Sequence, residues 1–86
     1  MKLIFADEAW EDCLYWQKQD KKMVERINQL IAEVKRDPFA GVGKPEPLKH
    51  ALAGYWSRRI NDEHRMVCKI DGGSLLLARK RLGTPP

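Results

Sequence analysis

Met23, Val24, Ile27, Leu30, Ile31 and Val34 recur at three- and four-residue steps, the spacing of one apolar helical face. Asp20 stands before this stripe as an N-cap, Lys35-Arg36 favour its C-terminal end, and Asp37-Pro38 stops it. Upstream, Asp7, Glu8, Glu11 and Asp12 crowd the first turns of another helix, where negative charge complements the helix dipole. Trp10, Cys13, Leu14 and Gln17 follow helical spacing, and this helix is predicted to end near Gln19. Lys2-Leu3-Ile4-Phe5 reads as a short strand before it. Two helices with a short link make an αα-hairpin.

The pattern changes after Pro38. Pro38, Gly41, Gly43, Pro45, Pro47 and Gly54 punctuate residues 38–54, so no regular structure is expected there. Phe39, Val42, Leu48 and Leu52 give it apolar anchors, so an ordered loop is expected. Three strand-like runs follow, Tyr55 to Ile60, His64 to Ile70 and Ser74 to Arg81, the last two joined by the hairpin signal Asp71-Gly72-Gly73. The predicted order is β-α-α-β-β-β. An α+β fold with both N-terminal helices on one face of an antiparallel sheet is the economical packing.

At 86 residues, 43% hydrophobic and 33% charged, the chain reads as one small globular domain spanning 1–86. The longest apolar run is Leu75-Leu76-Leu77-Ala78, too short for a membrane span. Asp7 and Glu8 interrupt the N-terminus before a signal-peptide core could form. Cys13 and Cys68 belong to no CxxC pair, so two reduced core thiols and a cytoplasmic location are expected. Residues 1–37 hold seven Lys/Arg against eight Asp/Glu, net −1, and residues 38–86 hold nine against four, net +5. The basic half points to a polyanionic partner, nucleic acid first.

Alternation in the second C-terminal strand sets Arg65 on the opposite face from Met66 and Cys68. If those two face the core, Arg65 faces out, and Arg58 or Arg59 and the Arg79–Arg81 run can join it. The loop with Glu46 leads into this sheet and can fold over that face. A carboxylate beside several arginines, without a metal motif, suits RNA cleavage by the substrate's own 2′-OH. Glu46 is the candidate base that takes the hydroxyl proton. Arg65 is the candidate to bind the phosphate bidentately and stabilise its transition-state charge. Lys44 and Lys49 add positive charge that would hold Glu46 ionised. On spacing alone the ordinary roles stay open: a solvated loop carboxylate for Glu46, a cross-strand ion-pair partner for Arg65. His50 and His64 sit in no metal-ligand spacing and read as a loop residue and a structural residue. No metal and no cofactor are expected.

Several segments are similar to the YoeB toxins of the RelE/ParE toxin superfamily. They are Met1-Lys2-Leu3-Ile4, Leu14-Tyr15-Trp16-Gln17, Gly43-Lys44-Pro45-Glu46-Pro47-Leu48-Lys49-His50, Trp56-Ser57-Arg58-Arg59-Ile60 and Glu63-His64-Arg65. The resemblance covers about residues 1–78. It implies a RelE-like toxin fold, a homodimer, a cognate YefM-type antitoxin, and cleavage of mRNA in the ribosomal A site that inhibits translation. It implies Glu46 as general base, Arg65 as the phosphate-stabilising arginine and Lys49 as the lysine of the same loop. With Lys44, Arg59 and Arg81, Lys49 completes the expected substrate-binding set.

The tail departs from the family pattern, whose last strand is followed by an Arg-aromatic-His-Tyr ending. Here the chain reads Arg79-Lys80-Arg81-Leu82-Gly83-Thr84-Pro85-Pro86, so Arg81 matches while Gly83 and Thr84 stand in place of His and Tyr. The resemblance makes that histidine the general acid, which implies weakened cleavage in this chain. Two alternatives follow: a non-catalytic ribosome- or antitoxin-binding protein of the same fold, and a ParE-like topoisomerase poison. Glu46 within an intact Gly43–His50 segment argues against the second.

Overall fold

The computed structural model describes residues 2–79. Strand β1 (Lys2–Phe5) leads into helix α1 (Asp7–Gln19) and helix α2 (Lys21–Arg36). A two-residue strand β2 (Glu46–Pro47) and a 3-10 turn at His50–Leu52 interrupt the loop that follows. Strands β3 (Trp56–Arg59), β4 (Arg65–Asp71) and β5 (Ser74–Arg79) complete one five-stranded sheet of order β1-β5-β4-β3-β2.

Helix α2 forms where its apolar stripe predicts, and Met23, Ile27, Leu30, Ile31 and Val34 are all buried. Asp20 caps it, its Oδ1 accepting from Lys22 N at 3.0 Å and Met23 N at 3.4 Å. The stripe packs on Met66 and Cys68 of β4 and Leu75 and Leu77 of β5 in one core cluster. Burial raises the Cys68 thiol above the usual cysteine range, and the nearby Arg58 charge partly opposes that rise. Cys13 is only half-buried.

Three expectations are corrected. The sheet is mixed: β2 to β5 pair antiparallel, while β1 pairs parallel with β5, Lys2 opposite Ser74 and Phe5 opposite Leu77. The hairpin at Gly72, whose φ is +60°, fixes only how β4 meets β5, and no turn ties β1 to its neighbour. Helix α1 turns a different face inward: Ala9 and Asp12 are buried and Trp16 packs on the core, while Trp10 and Leu14 are 48% and 42% exposed. The loop does not fold over the sheet; Glu46 extends it sideways, as the edge strand beside β3.

Loss of the Asp20 cap should be measurable. Asp20→Ala is expected to lower stability in urea by about 1 kcal/mol, whereas Asp20→Asn should leave it nearly unchanged. Equal midpoints for the parent and Asp20→Ala would show that the cap contributes nothing.

Candidate active site

One row of cross-strand partners runs through Glu46 on β2, Ser57 on β3 and Val67 on β4, and directly opposed residues share a sheet face. A β-bulge at Val67/Cys68 brings the backbone of Arg79 opposite Val67, so the row continues into β5. Arg59 and Arg65 form the next row on the same face, away from the helices. Glu46 is exposed and Arg65 half-buried. Arg65 Nη1 donates to Ser57 Oγ at 3.0 Å, and Ser57 is the cross-strand partner of Glu46, so one serine stands between the two strands that carry them. No carboxylate pairs with Arg65, and no cation with Glu46, among the described residues.

The β3–β4 turn fixes where Arg65 begins its strand. Asn61 Oδ1 accepts from Glu63 N at 2.9 Å and His64 N at 2.8 Å. Arg26 of α2 reaches across, donating to Ile60 O at 3.2 Å and Arg59 O at 3.3 Å. The His64 ring lies 5.2 Å from that of Trp16, on the helix side, which fits a packing role. His50 is exposed in the loop.

Arg59 lies on the outer face but already donates to Asp62 Oδ1 at 2.6 Å, both side chains being solvent-exposed. A pair of that kind is worth about 0–1 kcal/mol, so a phosphate could displace it. Arg58, which alternation left as a candidate for the same face, points the other way. It is fully buried, and its guanidinium donates to Val42 O at 2.8 Å and to Asp37 O and Ala40 O at 2.7 Å. It is unavailable to a ligand. Lys44, at φ +50°, and Lys49 are exposed on either side of Glu46, and neither forms a salt bridge with it. Arg81, Gly83 and Thr84 lie outside the described residues. No three of the described His, Cys, Asp and Glu residues cluster as a metal site.

Sequence reasoning missed Ser57. Its register opposite Glu46 and its bond to Arg65 depend on how three strands align, which alternation within one strand does not report. Further along the outer face, Lys69 Nζ sits 5.5 Å from the Tyr55 ring centroid. The outer face thus carries Arg59, Arg65 and Lys69 and is edged by the carboxylate of Glu46.

Comparison with known proteins identifies the family of this fold. The model of the YoeB-like toxin of bacterial type II toxin-antitoxin systems matches residues 5–82. The chain belongs to this YoeB-like toxin family. Toxin YoeB of Escherichia coli strain K12 is 57% identical over 81 residues, covering 94% of this chain and 96% of that one. A YoeB/ParE toxin from Agrobacterium tumefaciens superposes with a TM-score of 0.95 at 50% identity, covering 98% of this chain and 100% of that one. A YoeB dimer from Staphylococcus aureus superposes with a TM-score of 0.92 at 42% identity, covering 98% of both chains. A heterotetrameric YoeB-YefM toxin-antitoxin complex from the same organism gives 0.90, with the same identity and coverage. The mixed sheet and helical pair are therefore the YoeB-like fold.

The Arg65–Ser57 contact can be checked in this YoeB-like chain. Ser57→Ala should weaken binding of a short single-stranded oligonucleotide about fivefold at low salt, the effect of one hydrogen bond worth about 1 kcal/mol. Fluorescence anisotropy reads it, and unchanged affinity would mean that the serine does not orient the arginine.

Proposed function

We propose that this YoeB-like toxin is a ribosome-dependent endoribonuclease that cleaves mRNA at the A site without a metal ion, and so inhibits translation. The observation that carries the reading is the placement of Glu46 and Arg65 on strands either side of Ser57, on the sheet face away from the helices, with no ion pair between them. A carboxylate neutralised by an adjacent arginine would be a poor base, and the arginine would have little charge to offer. Glu46 and Arg65 sit on strands either side of β3, two strand spacings across and two residues along, so their backbones lie about 12 Å apart. That separation leaves room for a phosphodiester between them.

The chemistry follows from the two groups. Glu46 takes the proton from the 2′-OH of the nucleotide before the cut. The 2′-oxygen attacks phosphorus, and Arg65 stabilises the charge that builds on the nonbridging oxygens. The P–O5′ bond breaks, leaving a 2′,3′-cyclic phosphate and a 5′-hydroxyl that must gain a proton. Lys44, Lys49, Arg59 and Arg81 bind neighbouring phosphates of mRNA and ribosomal RNA. With Gly83 and Thr84 in place of a His-Tyr pair, that last proton comes from water, and the step is slow.

Assembly uses other surfaces. Trp10 and Leu14 lie one turn apart on α1 and are exposed, as is Leu3 on the edge strand. They supply the apolar contact of a homodimer, an assembly also formed by a YoeB of Staphylococcus aureus. Phe39, 57% exposed and 4.9 Å from the Trp56 ring, lies on the loop leading to the site. It suits the apolar part of a YefM-type antitoxin segment whose acidic residues cover the basic face.

Primer extension on ribosome-bound mRNA tests the nuclease reading. Discrete stops at A-site codons are expected with the parent and their loss with Glu46→Gln; stops of equal strength with both would overturn it. The tail is tested separately. Gly83→His combined with Thr84→Tyr should raise the single-turnover cleavage rate by about 10²-fold or more, the usual contribution of a general acid. No gain would refute the missing-acid explanation.

A further inference from the structure

We infer that Arg58, which no ligand can reach, is a positioning residue that sets the rate of the chemical step by holding the backbone of the Glu46 loop. The inference rests on the reading of Glu46 as the base. Residues 38–42 belong to no helix or strand. Their hydrogen bonds to the sheet side, among the described residues, are those from Arg58 to the carbonyls of Ala40 and Val42, with a third to Asp37 just before them; the Phe39 ring adds a contact with Trp56. The adjoining tie is Arg59 N to Gly43 O at 2.8 Å. Glu46 follows three residues later, in a strand only two residues long, and Leu48 N to Tyr55 O at 2.9 Å anchors its other side. Arg58 is thus the anchor on the side from which the chain enters the site.

The type of residue matters as much as its place. A buried methionine would fill the volume and spare the cost of desolvating a charge. It would not hold three carbonyls from separate residues in one arrangement, which a planar guanidinium with fixed donors does. The backbone there offers little resistance of its own. Gly41 and Gly43 sit at φ +104° and +91°, and Lys44 at +50°, a conformation that non-glycine residues seldom adopt. A Cβ on Gly43 would come within 3.0 Å of Leu30 Cδ2 and 3.2 Å of Arg59 O, so the loop is pressed against the core and the sheet where Arg58 holds it. Released, the loop would let Glu46 drift. A displacement of about 1 Å at a reacting group is enough for a hundredfold loss in rate.

Arg65 and the outer-face cations lie on the opposite side of the sheet from the Arg58 side chain. Loss of Arg58 should therefore slow cleavage and leave binding in place. The experiment is single-turnover cleavage of mRNA on ribosomes, with rate at saturation and half-saturating toxin concentration measured separately. Arg58→Met is expected to cut ten- to a hundredfold more slowly, with half-saturation within threefold of the parent. Arg58→Lys, which keeps the charge and some donors, should recover part of the rate. Gly41→Ala strains the same loop through its φ of +104°, with a Cβ in ordinary contact 3.7 Å from Arg58 Nη1 and 3.8 Å from Glu33 Oε1, and should show the same split. It decides the matter if the Arg58 variants do not fold. A parental rate in a folded Arg58→Met, or in Gly41→Ala if that variant does not fold, overturns the positioning role. So does a rate loss matched by an equal rise in half-saturation. Glu46→Gln, run alongside, separates the two readings: if it cuts like the parent, the assignment of the base fails whatever Arg58 does.

Discussion

The buried Arg58 guanidinium joins parts of the chain that no ladder connects: β3, the C-terminal end of α2 and the loop that follows. Removing such a group from water costs several kcal/mol. Three charge-assisted hydrogen bonds of about 1.5–3 kcal/mol each roughly offset that cost. The Asp37 carbonyl also lies at the negative end of α2, where a cation is favoured. The balance is close to even, so the arginine adds little net stability. What it adds is a single geometry for a loop rich in glycine and proline. The Arg58 guanidinium lies on the helix side of the sheet, beneath the candidate site, while Arg59 and Arg65 lie on the other face.

The tripeptide Ser57-Arg58-Arg59 makes this division visible, because a strand sends alternate side chains to opposite faces. Ser57 points outward and holds Arg65. Arg58 points inward and holds the loop. Arg59 points outward as a surface cation, while its amide binds Gly43 O and its carbonyl accepts from Arg26. One short strand thus meets both halves of the candidate site and ties them to α2. This is why Glu46 can lie on so short a strand and still have a defined position relative to Arg65.

Local signals were enough for much of the fold and not for the rest. The α2 stripe, the Asp20 cap, the Asp37 stop and the Asp71–Gly73 hairpin are each written within a few residues, and each stands where it was predicted. Alternation also sent Met66 and Cys68 inward and Arg65 outward. The parallel pairing of β1 was illegible because its partner begins some seventy residues later. The inward face of α1 was misread because its sequence is weakly patterned: the large residues Trp10 and Leu14 suggested a core stripe, while Ala9, Asp12 and Trp16 turn inward. Arg58 and Arg59 were indistinguishable as side chains, since adjacent positions trade faces with a one-residue change of register. Glu46 and Arg65 were singled out through resemblance to YoeB toxins more than through spacing, and the sheet sets both on the outer face on strands either side of β3. Ser57 was not singled out, because its role exists only where three strands meet.

The two edges of the sheet are built for opposite purposes. An open strand edge invites pairing with another chain, and natural proteins blunt the edges they need to keep free. Strand β2 is two residues long and one of them, Pro47, has no amide hydrogen to offer. Another copy of the chain finds little to pair with there, which keeps the neighbourhood of Glu46 open to a substrate. Strand β1 is longer, carries the exposed Leu3 and Ile4, and lies under the exposed Trp10, whose ring sits 5.6 Å from that of Phe5. The β1 edge is thus the longer and more apolar of the two, and the β2 edge lies four strand spacings or about 19 Å away. A second copy paired along the first edge would leave the second, with Glu46, facing solvent, so on the proposed reading dimerisation and RNA binding would use different surfaces.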